Sequence, residues 1–335
     1  MNRLLVISCL FAAFCLMSCG TASSGRLPNP IGSTGEVLIV MNDYLWRGAS
    51  GDSIRQYLTE PVWGMPSIEP MFILSHQREL STFFRRFRNI LIVNVDADFE
   101  EARLRMRSNV HAQNQLVFNL DAPSADSVIS IMYRSKDIIS DHILANGREA
   151  IIEDLRRAVA MPIVERLREK FMVDIAIPRS YTLDVDRENF AWVSLLRGEQ
   201  EWGILIWEEP YLRVSQLDTD SLILRMNAMT RQHVPGPVEG SFMRNEPTFV
   251  PDVRRFEHDG IFRVQLNGLW QIQHGFMGGP YVKQTIVDTQ RGRLITGLGF
   301  VFYPNRDKRQ MIRQLEAMLF TMRPTESEEL IVMNY

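Results

Sequence analysis

Apolar and polar residues alternate along this chain in two styles. In the first half, residues 37–41 and 90–95 are short β-branched runs, residues 71–74 and 116–120 are weaker ones, and residues 52–58 and 80–87 between them carry helical spacing. Strands alternating with short helices predict a small α/β layer. A long helical pattern follows. Ile151, Leu155, Val159, Ile163, Leu167 and Phe171 recur every fourth residue and form one stripe, with Glu153, Arg156, Arg157, Glu165, Arg168 and Glu169 turned mostly away. The stripe reads as core packing. Pro162 interrupts it and predicts a kink or two helices meeting near Met161, and Asn146-Gly147 predicts a break from a helical segment at 137–144.

From about Ala176 the pattern changes. Residues 190–196 and 202–207 are β-rich runs joined by Arg197-Gly198-Glu199-Gln200-Glu201, a hairpin signature. Residues 219–233 have helical spacing, stopped by Val234-Pro235-Gly236-Pro237. Residues 262–266, 270–274, 282–287 and 294–303 predict an antiparallel meander with turns at Gly278-Gly279-Pro280 and near Arg291-Gly292. A last helix carries Met311, Ile312, Leu315, Met318, Leu319 and Met322 on one side. The expected fold class is α+β, with an N-terminal α/β domain and its long amphipathic helix over 36–175. A C-terminal antiparallel sheet with two helices follows over 176–322, then a tail at 323–335.

The N-terminal stretch changes where such a body would reside. Asn2 and Arg3 precede an apolar run from Leu4 to Met17, which is too short to span a bilayer and ends at Ser18-Cys19. A small residue directly before a cysteine resembles a bacterial lipoprotein signal over 1–18, with Cys19 as the lipid-bearing first residue. A plain secretory signal has no need of that thiol. The three cysteines are Cys9, Cys15 and Cys19. Only Cys19 therefore survives cleavage, which excludes disulfides, thiolate metal sites and cysteine nucleophiles from the mature chain. Residues 19–35 are rich in Gly, Ser, Thr and Pro and read as a flexible tether of roughly 20 to 24 Å end to end. No acidic run follows Cys19, which favours a lipid-anchored position in the cell envelope, at the outer membrane facing the periplasm.

Composition adds little beyond exclusions. The chain has 335 residues, 45% of them hydrophobic, and a formal net charge of −3, which suggests no nucleic-acid partner. There is no nucleophile elbow, phosphate loop, zincin helix or dinucleotide glycine pattern, and no cofactor is implied. His76, His111, His142, His233, His258 and His274 are scattered without metal-pair spacing. Asp184-Val185-Asp186-Arg187-Glu188 starts like a calcium loop but has Asn189 at the sharp turn and Leu195 at the closing position, and reads as a solvated turn. Asp96 and Asp98 end a strand-like run. The basic runs 83–88 and 103–107 read as solvated or ion-paired faces, since Asp96, Asp98, Glu100 and Glu101 lie nearby. The patch most suggestive of a ligand or partner surface is Trp270, His274, Phe276, Gly278, Gly279 and Tyr281, where aromatics surround paired glycines; the alternative is a turn capped by core aromatics. Residues 38–42 recur as residues 330–334 without a functional account.

Residues 36–41, Glu69-Pro70-Met71-Phe72, residues 234–237 and residues 276–280, together with the lipoprotein cysteine, resemble an uncharacterised family of Bacteroidota lipoproteins, domain of unknown function 4837 (DUF4837). The resemblance covers nearly the whole mature chain and implies an envelope location without an activity. The order hairpin, helix, meander, helix is similar to the Mog1/PsbP-type sandwich, a fold used mostly for binding and assembly. Two functions are thus expected: a non-catalytic binding or assembly module, contacting the membrane through lipid on Cys19 and an envelope protein partner or small ligand through its body, or, as the alternative, an envelope hydrolase with a carboxylate/His site formed by the fold.

Overall fold

The computed structural model describes residues 27–325; residues 1–18, Cys19 and the second copy of the repeat at 330–334 lie outside them. The first domain has strands β1 (Glu36–Val40), β2 (Ile73–Gln77), β3 (Asn89–Val95), β4 (Arg103–Ser108) and β5 (Leu116–Ala122), with helices α1 (Asp43–Arg47), α2 (Ala49–Leu58) and α3 (Ala125–Arg157). The sheet order is β2-β1-β3-β5-β4, parallel except at β4. Parallel strands covered on both faces should be apolar throughout. Val37, Leu38 and Ile39 have no exposure, and neither do Ile90 and Leu91. One face packs against α2 and α3 through Val37, Ile39, Ile54 and Val128, and the other against residues 80–87 and Ile31.

The second domain has strands β6 (Val173–Asp174), β7 (Thr182–Arg187), β8 (Phe190–Arg197), β9 (Gln200–Pro210), β10 (Met243–Asn245), β11 (Asp252–His258), β12 (Ile261–Ile272), β13 (Gly278–Asp288), β14 (Arg293–Phe302) and β15 (Arg323–Pro324), with helices α4 (Met161–Phe171), α5 (Thr219–His233) and α6 (Arg309–Phe320). Its large antiparallel sheet runs β10-β12-β13-β14-β9-β8-β7, with β11 beside β12. The sheet has a core on each face: α4 and α6 cover one, α5 the other. The architecture is α+β, as expected.

Several expectations shift. Residues 80–87 form no full helix; only Phe84–Arg86 makes a 3-10 turn, while Leu80, Phe84 and Phe87 pack on the sheet face. Residues 103–107 are an edge strand, β4, whose alternating arginines read as a charge cluster in the sequence. The run 262–266 and the first part of the run 270–274 are one strand, β12, which ends at Ile272. Asn146-Gly147 does not break α3: Gly147 is buried against Thr34, where an added Cβ would lie 3.1 Å from the Thr34 Cβ. The tether is packed from Leu27 onward, since Pro28 O accepts from Gln113 N (2.9 Å) and Arg88 N donates to Ile31 O (2.8 Å). Backbone carbonyls and the packing of Ile31 hold this segment, which its composition could not announce.

Pro162 separates two helices that meet near Met161. It sits in the first turn of α4, where its missing N–H has no partner to lose. The stripe is one core: Leu155, Leu167 and Phe171 are buried in it and Ile151, Val159 and Ile163 pack on its edge. Because α4 belongs wholly to the second core, the domain boundary falls near Ala158–Ala160 rather than at 175. Helix α3 spans both domains, giving Val128, Ile131 and Ile139 to the first core and Ile152 and Leu155 to the second. We expect Pro162→Ala to change stability by less than about 1 kcal/mol in a urea titration, whereas a proline inside a continuous helix would have cost about 3 kcal/mol.

Candidate functional site

In open parallel sheets, ligand sites form beyond the carboxyl ends of the strands where successive crossovers diverge. Here the chain leaves β1 through α1 and α2 to reach β2 on one side, then crosses to β3 on the other. A cleft of about 850 Å³ lies at that divergence. Asn42, Tyr44 and Leu45 line it after β1, Arg78 and Glu79 after β2, and Asn94, Asp96 and Phe99 at the end of β3.

The polar side chains at its wall are held by one end. Asn42 Oδ1 caps α1 by accepting from Tyr44 N at 2.8 Å. Asn94 Nδ2 donates to Asp121 Oδ1 at 2.7 Å, and Asp121 is in turn ion-paired to Arg105. Asp96 Oδ1 accepts from Asp98 N at 3.0 Å. Asn42 Nδ2, Asn94 Oδ1 and Asp96 Oδ2 have no protein partner among the described residues, and neither do the side chains of Arg78 and Glu79. Fixing one end of each group lowers the entropy lost when the other end binds something.

The helix carrying Tyr44 is buttressed from behind. Trp46 stacks on His76 with ring centroids 4.8 Å apart and planes at 9°, and the Arg55 guanidinium lies 4.2 Å over the Trp46 ring while donating to Trp46 O at 3.0 Å. His76 Nε2 is 3.0 Å from Met41 O, and Nδ1 is 4.0 Å from Asp43. This histidine is a support for the cleft and is not part of its lining.

The patch on β12 and β13 does not converge. Trp270 is buried, donates from Nε1 to Val301 O at 3.2 Å and stands edge-on to Phe300. Tyr281 is buried too, with its hydroxyl donating to Asn245 Oδ1 at 2.7 Å; burial pushes its phenol up from the usual range. Gly278 and Gly279 are strand residues opposite Gln271 and Trp270, and the turn is at 273–276. Glycine is required at 279 because a Cβ would lie 2.0 Å from Val301 O. His274, at φ 61°, and Phe276 stand exposed at the hairpin tip. Core packing thus accounts for Trp270, Gly279 and Tyr281.

The other sequence candidates are also committed to structure. Asp184 accepts from Thr182 Oγ1 at 2.7 Å and from Ser194 Oγ at 2.5 Å. Asp186 pairs with Arg166 and Lys170, whose hydrogen bonds hold its carboxyl below the usual range. Both lie on strand β7, so the solvated turn is a strand with engaged carboxylates. Arg103 pairs with Glu101 at 2.8 Å, as an ion-paired face requires. No group of three metal-ligating side chains occurs among the described residues.

Residues 160–321 match the family model described as Domain of unknown function (DUF4837). The C-terminal domain belongs to that family. The match begins where α4 does and excludes the first domain; residues 30–156 match a separate model, Domain of unknown function (DUF8532). The resemblance expected over nearly the whole mature chain is therefore two families side by side. Residues 36–41 and 69–72 fall in the first, residues 234–237 and 276–280 in the DUF4837 domain. No curated protein matches the chain in sequence. Among solved structures, similarity extends to the Ran-binding protein Mog1p of Saccharomyces cerevisiae, at 8% identity over 46% of this chain and 91% of that one, TM-score 0.33. LpqN, involved in cell envelope biogenesis of Mycobacterium tuberculosis, follows at 11%, 45% and 83%, TM-score 0.28. Human STARD10 gives 6%, 47% and 78%, TM-score 0.24. The cleft lies outside the DUF4837 domain, on the DUF8532 side.

Proposed function

We propose that this chain is a lipid-anchored protein of the cell envelope, carried on Cys19 at the periplasmic face of the outer membrane, and that it works as a non-catalytic binding module. The observation that carries the binding role is the cleft between β1 and β3, where five polar side chains offer uncommitted atoms at the divergence of two crossovers. The anchor is supported by Ser18-Cys19 behind its apolar run. A binding module rather than a hydrolase with a carboxylate/His site is favoured by the engagement of His76 in packing, which leaves no histidine in the lining to act with Glu79 or Asp96. Among the described residues no helix is long and apolar enough to cross a membrane.

Two measurements test this. Cells given radioactive palmitate should label the wild-type chain in the outer-membrane fraction and leave Cys19→Ala unlabelled; label on the variant refutes the anchor. Ligand in an envelope extract should raise the melting temperature of the wild-type protein, in proportion to the logarithm of its concentration above Kd. Asn94→Trp, which fills the cleft, should lose that rise. An equal rise in the variant moves the binding site elsewhere.

A further inference from the structure

We propose that the ligand of the cleft is a neutral polyhydroxylated one, an oligosaccharide segment, with the Tyr44 ring as its stacking face and Asn42, Asn94 and Asp96 as its hydroxyl readers. The proposal rests on the cleft being the binding site and names what enters it.

Tyr44 is the first reason. Its residue is 85% exposed on a helix braced by the Trp46–His76 stack, so an aromatic ring stands in solvent beside the polar lining. Phe99 adds a second ring, half-buried, in the same lining. The C–H faces of a pyranose cover such rings while its hydroxyls remain free for polar partners, which gives an apolar surface and a polar rim in one ligand.

Hydrogen-bonding balance is the second. The uncommitted atoms include donors, Asn42 Nδ2 and the Arg78 guanidinium, and acceptors, Asn94 Oδ1, Asp96 Oδ2 and the Glu79 carboxylate. A hydroxyl donates one hydrogen bond and accepts others, so neighbouring hydroxyls satisfy a mixed set. A hydrocarbon would leave all five atoms unpaired.

Charge is the third. Two carboxylates face one guanidinium in the lining, which disfavours a phosphate or nucleotide. The chain after β1 reads Met41-Asn42-Asp43-Tyr44-Leu45, with an acidic residue opening the helix and no glycine to bring backbone amides to a phosphate. The site is also open: Asn42, Tyr44, Arg78, Glu79, Asn94 and Asp96 are all exposed. An open cleft admits the middle of a polymer, where an enclosed pocket would admit only a free small molecule.

The test is calorimetric titration of the full-length, detergent-solubilised chain with chitotetraose, maltotetraose, cellotetraose, mannotetraose and, separately, ATP. At least one tetrasaccharide should bind saturably, with Tyr44→Ala and Asp96→Asn each weakening it about tenfold, Tyr44→Trp restoring it, and His274→Ala in the other domain without effect. Binding of ATP without any tetrasaccharide overturns the ligand class and leaves the cleft as a site. Tetrasaccharide binding that Tyr44→Ala and Asp96→Asn do not weaken overturns the placement. No binding of any probe overturns the proposal, and a melting-temperature rise from envelope extract that Asn94→Trp abolishes would still uphold the cleft itself.

Discussion

Lys283→Met is expected to stabilise the protein at pH 6 and to lose most of that advantage by pH 10. Lys283 is 1% exposed on β13, between Leu266 of β12 and Leu298 of β14, and its ammonium donates to Thr285 Oγ1 at 2.8 Å. Thr285 is in turn 2.9 Å from Thr296. Burial is the main cause that draws the lysine down to about 7; Arg225 acts in the same direction and Glu209 opposes both. Glu209 is a weak counter-ion because its own carboxyl is raised by burial and it pairs with Arg225 at 3.3 Å. The sign follows from proton counting. Below pH 7 the lysine is charged in both folded and unfolded chains, so the native state bears the full cost of a buried ammonium. Between about 7 and the ordinary 10.5 the folded chain has shed a proton that the unfolded chain keeps, and stability rises with pH by on the order of 1 kcal/mol per unit. Methionine fills similar space and does not titrate. Urea midpoints of both proteins at pH 6, 8 and 9.5 should converge as pH rises, and parallel curves would show that Lys283 keeps its proton in the folded chain across this range.

Glu69→Ala should cost roughly 2 to 3 kcal/mol, a large effect for one side chain in a loop. Glu69 is 1% exposed and belongs to the first domain, yet its carboxylate accepts from two amides of the second: Lys308 N at 2.9 and 3.0 Å and Arg309 N at 2.8 Å. It thus caps α6 from outside, where unpaired amides and the helix dipole favour a negative group. The contact continues along the same loop. Arg309 donates to Pro70 O, Arg313 donates to Met71 O at 2.6 Å, and the Arg313 guanidinium lies 5.6 Å over Phe72. Burial lowers the Arg313 guanidinium to about 10, which marks how dry this seam is. The alanine variant should melt earlier and be cut sooner by protease near residues 158–160, and Glu69→Gln should fall between the two. A variant within about 0.5 kcal/mol of the wild type would mean that apolar contacts alone join the domains.

The motif Glu69-Pro70-Met71-Phe72 stood out in the sequence, but its work did not. Nothing local says that a glutamate before a proline will cap a helix 240 residues later; only the docking of two domains supplies the orphan amides. The same limit hid the cleft. Asn42 and Asp96 follow β-branched runs, a position where polar residues gather in any parallel sheet, and Asn94 lies inside the second run. The strand order that brings β1 and β3 side by side is set by which crossover packs on which face. Polar residues at the end of each run were the available signal, and they become specific only once that order is known.

What this sequence determined by itself was periodic or local. The β-branched runs specified β1, β3 and β5, the fourfold stripe specified a single core face through Phe171, and residues 219–233 emerged as α5 at those bounds. The 197–201 signature became the hairpin of β8 and β9. These succeed because backbone preference and burial of one face act within a few residues. Tertiary structure decided the rest: that Asn146-Gly147 stays helical, because Thr34 covers the glycine; that Trp270 and Tyr281 are core, because α5 and β14 close over them; that Lys283 is dry; and that three half-anchored polar side chains meet at one cleft. Each of those outcomes depends on a neighbour distant in sequence, and such neighbours leave no periodic trace.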